Sequence, residues 1–129
     1  MAPLIPITAI GPAGRVFHFG RALVDSGADD TVFPMTALPR IGATLRPDAA
    51  HRLRWRGQVY ALRFGDIDLV LTDLGFTWRW PAVVAFSPAP LKYPILGRGG
   101  CLQFFDVRLL GADLKVELEI TRLYPGTTT

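Results

Sequence analysis

Turn signals break this chain about every 8–12 residues, and the runs between them are short, apolar and rich in β-branched side chains. That rhythm leaves little room for long helices and suits a small closed or sandwiched β domain. Leu4–Ile10 (LIPITAI) is a β-branched run that stops at the turn signal Gly11–Gly14. The run from Arg15 to Asp25 alternates apolar and polar residues, which predicts a strand returning antiparallel to the first. Asp25–Asp30 reads as a loop. Thr31–Met35 reads as extended, with Pro34 disfavouring a helix there. Met35–Ala43 has room for one helical turn. His51–Phe64 predicts a hairpin turning near Arg56–Gly57, with Arg52, Arg54 and Arg56 on one face and Leu53 and Trp55 on the other. Two more strands are expected around a turn near Asp73–Gly75. An apolar triplet then runs into Gly97, followed by a short helix from about Gly100 to Asp106. A last hairpin turns at Gly111–Asp113, and Tyr124–Thr129 is expected to fray.

The 129 residues fit a single domain, 1–129, with a core at about 4–120. Half the residues are apolar and 19% are charged, which excludes a disordered chain. A domain of this size builds a modest core and gains stability by pairing with a second copy. Every apolar run of membrane length contains a charge or a proline, so no membrane partner is expected. The opening segment lacks a positive start and is cut by Pro3, Pro6 and Pro12, so the expected location is cytoplasmic. One cysteine, Cys101, excludes an internal disulfide and a cysteine-based zinc site. It reads as buried. His18 and His51 are the only histidines, which supplies a histidine-dependent hydrolase poorly. The +3 charge is spread along the chain without a dense basic block, so no nucleic-acid partner is expected. Most of the basic residues are arginine, which suits carboxylates as well as phosphate.

The stretch Ala22–Pro34 (ALVDSGADDTVFP) carries a strand straight into a carboxylate. An aspartate there needs neighbours that stabilise its charge or share its proton. Ser26 supplies a hydroxyl, and Gly27 lets the backbone turn and another chain approach closely. No base partner stands nearby in the sequence. A second copy of Asp25 across a two-fold axis is one solution, because two carboxylates a few ångströms apart hold one proton between them. The plainer reading is that Asp-Ser-Gly simply forms a turn.

The segment Ala22–Val32 resembles the active-site segment of retroviral-type aspartic proteases, the retropepsins, whose signature is Asp-Thr/Ser-Gly-Ala. About 70 residues further on, Pro94–Arg98 (PILGR) is similar to that family's apolar-apolar-Gly-Arg segment before its C-terminal helix. The resemblance implies an all-β, small closed β-barrel-like acid-protease fold with one short C-terminal helix. It implies an aspartic endopeptidase that cleaves an extended peptide or protein substrate as a homodimer, with no cofactor and no metal. Asp25 would be the catalytic carboxylate, one per subunit, and Ser26 would hydrogen-bond across the dimer. Gly27 would offer its carbonyl to the substrate, and Ala28 would leave room at the cleaved bond. Asp29 would bind substrate backbone and pair with Arg98, and Asp30 would line a subsite. Gly97 would let the second corner pack on the first. The hairpin at about 51–62 would be a flap, with Trp55, Arg56 and Gly57 touching substrate.

The flap tip is poorer in glycine than in the viral enzymes, and the segment after Gly100 is longer, closer to cellular and bacterial relatives. Asp29–Arg98 reads equally as a structural ion pair. Asp30 suits a solvated turn. Arg52, Arg54 and Arg56 suit a solvated face, or else favour acidic substrate residues. Trp55 suits plain packing, and Trp78 and Trp80 suit the core or a dimer contact. His18 reads as structural or exposed. Asp66 and Asp68 share a strand face but lack the Gly and closing Glu of a calcium loop. The alternative functions are a non-catalytic peptide-binding or dimerisation module with this fold, and a hydrolase using Asp25 with His18.

Overall fold

The computed structural model describes residues 3–47, 51–73, 75–110 and 115–129. Strand β1 (Leu4–Ile10) pairs antiparallel with β2 (Val16–Val24), as the alternation predicts. The register slips between Ile5 and Ile7, where Pro6 has no N–H to give the ladder. After the loop comes β3 (Val32–Pro34), then a 3₁₀ turn (Met35–Ala37) and α1 (Leu38–Ile41). Gly42 closes α1 in the left-handed region at φ 73°, where a side chain would be strained. The hairpin β4 (Arg52–Trp55) and β5 (Gln58–Ala61) stands as its own two-stranded sheet. A long pair, β6 (Arg63–Asp73) and β7 (Phe76–Ser87), follows, and then β8 (Ile95–Leu96). A second hairpin, β9 (Phe105–Leu110) and β10 (Lys115–Ile120), and a short β11 (Thr127–Thr128) complete the chain. The expected turn at Gly111–Asp113 lies outside the described residues.

The main sheet is mixed and seven-stranded, in the order β11-β7-β3-β8-β2-β1-β6. Because β6 also pairs with β7, six of these strands close into a ring and β11 lies on the outer edge of β7. Closure removes most of the unpaired edge that an open sheet would expose. Alternate residues of β7, Trp78, Trp80, Ala82 and Val84, point inward with Leu69, Phe33, Phe86 and Leu96 to fill the ring. Trp80 and Phe33 are completely buried. Two outward residues of β6 are tied down by arginine: Arg46 forks onto Asp66 at 2.7 and 2.9 Å, and Arg79 reaches Asp68 at 2.8 Å. Those contacts account for the paired aspartates of β6 without an ion.

Two expectations are corrected. There is no C-terminal helix over Gly100–Asp106; a 3₁₀ turn, Leu102–Phe104, leads directly into β9, and the α-helix among the described residues is the earlier α1. Phe105 is drawn into the core by Trp80, Trp78 and Tyr124, with ring centroids 5.1, 6.1 and 5.8 Å away, and that packing holds the segment extended. The tail does not fray: β11 pairs with Trp78 and Arg79, and the Tyr124 hydroxyl sits between the carbonyls of Arg79 and Thr127. Trp78 and Trp80 both belong to the core.

Cys101 is buried, 2% exposed, and burial pushes its thiol from an ordinary 9.0 up to about 12. An unfolded chain ionises this thiol near its ordinary value while the folded chain keeps it protonated. The stability linked to it is therefore complete below about pH 9 and falls by about 1.4 kcal/mol per pH unit above that, until the folded thiol also ionises. Urea unfolding across the alkaline range should show wild type losing stability more steeply than Cys101→Ala. Parallel curves would contradict the assignment.

Candidate functional site

Two glycine corners meet at one end of the ring. Strand β2 runs parallel to β8, with Leu23 opposite Ile95 and Val24 opposite Leu96. Both strands then turn. The N–H of Asp25 donates to the Leu96 carbonyl at 3.1 Å, so the carboxylate starts where the ladder ends. Its Oδ1 accepts the Gly27 N–H at 3.0 Å, and the Ala28 N–H donates to the Asp25 carbonyl at 3.1 Å. This is a tight Asx turn, and among the described residues the Asp25 side chain makes no other hydrogen bond. Asp25 is half-buried, while Ser26 and Gly27 are exposed at the apex.

The second corner is threaded through the first. The Arg98 N–H donates to Ala28 at 2.9 Å, Gly99 to Asp29 at 2.8 Å, and Thr31 to the Gly99 carbonyl at 3.0 Å. Asp30 and Gly99 form a parallel bridge. Trp80 Nε1 donates to the Gly100 carbonyl at 2.7 Å and so pins this corner to the ring's core. Gly97 is where the two backbones pass closest. A Cβ built there overlaps the Asp30 carbonyl and stands 2.8 Å from the Ala28 oxygen, a separation real side chains do not reach.

The β4–β5 hairpin covers this corner. Its register, Leu53 opposite Tyr60 and Trp55 opposite Gln58, puts Leu53, Trp55 and Tyr60 on one face. That face packs on a small apolar cluster of Val32, Leu62, Ala85 and Ile95, which Ala28 joins from the loop. Arg52 and Arg54 are exposed, as the alternation predicts. The tip is a two-residue turn with both residues at positive φ, Arg56 at 50° and Gly57 at 80°. Two-residue turns of this hand match the twist of the strands they join, which compensates for the strain at Arg56. The Arg56 guanidinium lies 5.9 Å from the centre of the Trp55 ring.

Between loop and hairpin lies a cleft of about 620 Å³ lined by Gly27, Ala28, Asp29, Asp30 and Arg98 on one side and Arg52, Leu53 and Arg54 on the other. Arg56 and Gly57 stand away from it at the tip, and Trp55 contributes through the apolar cluster instead. A second cleft, about 560 Å³, is lined by Ser26, Asp29 and Arg98 with Leu102 and Phe105. Asp29 and Arg98 thus share two clefts, yet they form none of the ion pairs among the described residues. The expected Asp29–Arg98 pair is replaced by main-chain bonds between the two corners. Asp30 is not a free turn residue: its Oδ2 lies 2.9 Å from His51 Nδ1 at the root of the hairpin. His51 in turn meets Phe64 edge-to-face, with centroids 5.0 Å apart. Sequence reading missed this contact, because nothing local links residues 21 positions apart.

His18 is exposed on β2 and hydrogen-bonds Thr8 Oγ1 at 2.7 Å. It lies about 20 Å along an extended strand from Asp25, too far to act on it within one chain. Among the described residues no cluster of three or more His, Cys, Asp or Glu could hold a metal ion, and no helix of the described residues is long and apolar enough to cross a membrane. No protein-family model matches the chain, and no curated protein matches it.

Proposed function

We propose that the protein is a retropepsin-like aspartic endopeptidase that works as a homodimer. The observation that carries this reading is the interlocked pair of corners. A half-buried carboxylate leaves the end of a ring strand, a second glycine corner braces its loop, and a hairpin roofs a cleft beside it. One chain supplies one such carboxylate, and the exposed Ser26–Gly27 apex leaves room for a second copy to bring another. With two Asp25 carboxyls sharing one proton, the ionised member removes a proton from water as its oxygen attacks the peptide carbonyl carbon. The protonated member gives its proton to the developing oxyanion. Proton transfer to the leaving nitrogen then accompanies rupture of the C–N bond. No electron transfer is involved. An extended peptide in the cleft would hydrogen-bond as an added strand, since among the described residues β4 pairs with β5 and with no other strand.

The test is incubation with a mixed peptide library between about pH 4 and 7, where a shared-proton dyad is active, with products mapped by mass spectrometry. Cleavage at internal bonds is expected, with specific activity rising with protein concentration as dimers form. An intact library would refute the reading. Tight peptide binding without turnover would make the chain a peptide-binding module.

A further inference from the structure

The cleft is charged unevenly. Arg52, Arg54 and Arg98 line it together with Asp29 and Asp30. Asp30 is already engaged by His51 at 2.9 Å. Neither Asp29 nor any of the three arginines takes part in an ion pair among the described residues. Elsewhere Arg46 is held by Asp66, Arg79 by Asp68, and Arg108 stands opposite Glu117, while Arg15, Arg21, Arg40, Arg56, Arg63 and Arg122 are in no ion pair among the described residues. What sets the cleft apart is that three guanidiniums outside any ion pair among the described residues, Arg52, Arg54 and Arg98, line one concavity where the proposed substrate would lie.

We infer that the cleft selects peptides carrying Asp or Glu beside the cleaved bond, with Arg52 and Arg54 on strand β4 and Arg98 across the cleft receiving the carboxylates. The spacing fits. Arg52 and Arg54 are two residues apart on one strand, so their Cα atoms are about 7 Å apart, the same interval as alternate residues of an extended peptide laid along β4. A peptide in that register presents every second side chain to one arginine or the next. Guanidinium suits this task, because its planar fork takes both oxygens of a carboxylate. Asp29, the one carboxylate in the cleft outside any ion pair, leaves the balance positive, and the chain's net +3 adds a weak steering field for anionic peptides.

This inference rests on the endopeptidase reading, and the experiment separates the two. One fluorogenic peptide that the protein cleaves is made in three forms, with Glu, Gln or Lys two residues from the cleaved bond. Wild type should prefer Glu to Gln by about fivefold in kcat/KM, the most that exposed ion pairs usually give. That preference should shrink as ionic strength rises. In the Arg52→Glu/Arg54→Glu double variant the order should invert in favour of Lys. The substitutions fall on exposed positions, and circular dichroism checks that the fold is kept. Equal rates on the three peptides, or an unchanged Glu preference in the double variant, would overturn the inference and leave the endopeptidase reading standing. If no peptide is cleaved, the endopeptidase reading falls. Fluorescence polarisation with dye-labelled Glu, Gln and Lys forms of one extended library peptide then decides the charge preference alone: tighter binding of the Glu form upholds it, and equal binding overturns it.

Discussion

Asp25→Asn is expected to lower peptide hydrolysis by about three orders of magnitude or more while leaving the fold in place. The amide keeps the one side-chain bond that Asp25 makes, since its Oδ1 can still accept the Gly27 N–H now at 3.0 Å. It cannot take a proton from water. Circular dichroism and thermal midpoints should therefore match wild type, and the loss should appear in kcat. A mixing experiment sharpens the result. If each active site needs one carboxylate from each chain, adding the variant to wild type poisons the mixed dimers, and activity falls with the square of the wild-type fraction. A linear fall would mean that each chain hydrolyses peptides alone. A variant with near-normal activity would remove Asp25 from the chemistry altogether.

Gly97→Ala is expected to cost about 3 kcal/mol or more, a fall in Tm of about 10 °C. The added methyl would overlap the Asp30 carbonyl oxygen, stand 2.6 Å from its carbon and 2.8 Å from the Ala28 oxygen. These are backbone atoms held by the bonds that join the corners, so they cannot turn aside as a side chain would. Gly57→Ala is the control. It meets nothing within 4 Å, and its cost is the left-handed backbone at φ 80°, about 1 kcal/mol. Calorimetry on both variants measures the difference. A Gly97→Ala protein as stable as Gly57→Ala would mean that the corners are not in the contact described.

Local chemistry made much of this architecture readable. Leu4–Ile10, the turn at Gly11–Gly14, the return strand and the Arg56–Gly57 hairpin all follow from alternation and turn residues that act over a few positions. The loop from Asp25 and the glycine at Gly97 were legible for the same reason: a glycine between apolar runs marks a turn or a close approach. What failed was decided by distant partners. Gly100–Asp106 lacks a strong strand pattern, and Phe105 is kept out of a helix by the aromatic cluster around Trp80 and by its pairing with Ile120. The tail looked polar and free because the open flank of β7 that receives it lies about 50 residues earlier in the chain. His51 and Asp30, and the absence of an Asp29–Arg98 ion pair, likewise depend on how loop and hairpin come together rather than on either alone.

The threading of one corner through the other joins residues 66 positions apart at Thr31 and Gly97. Contacts of that span cost much loop entropy to close and are rewarded only when the intervening strands are in place. The carboxylate loop therefore has no half-assembled form of its own. On heating, whatever chemistry resides there should vanish together with the ring, at a single temperature, rather than ebb away beforehand.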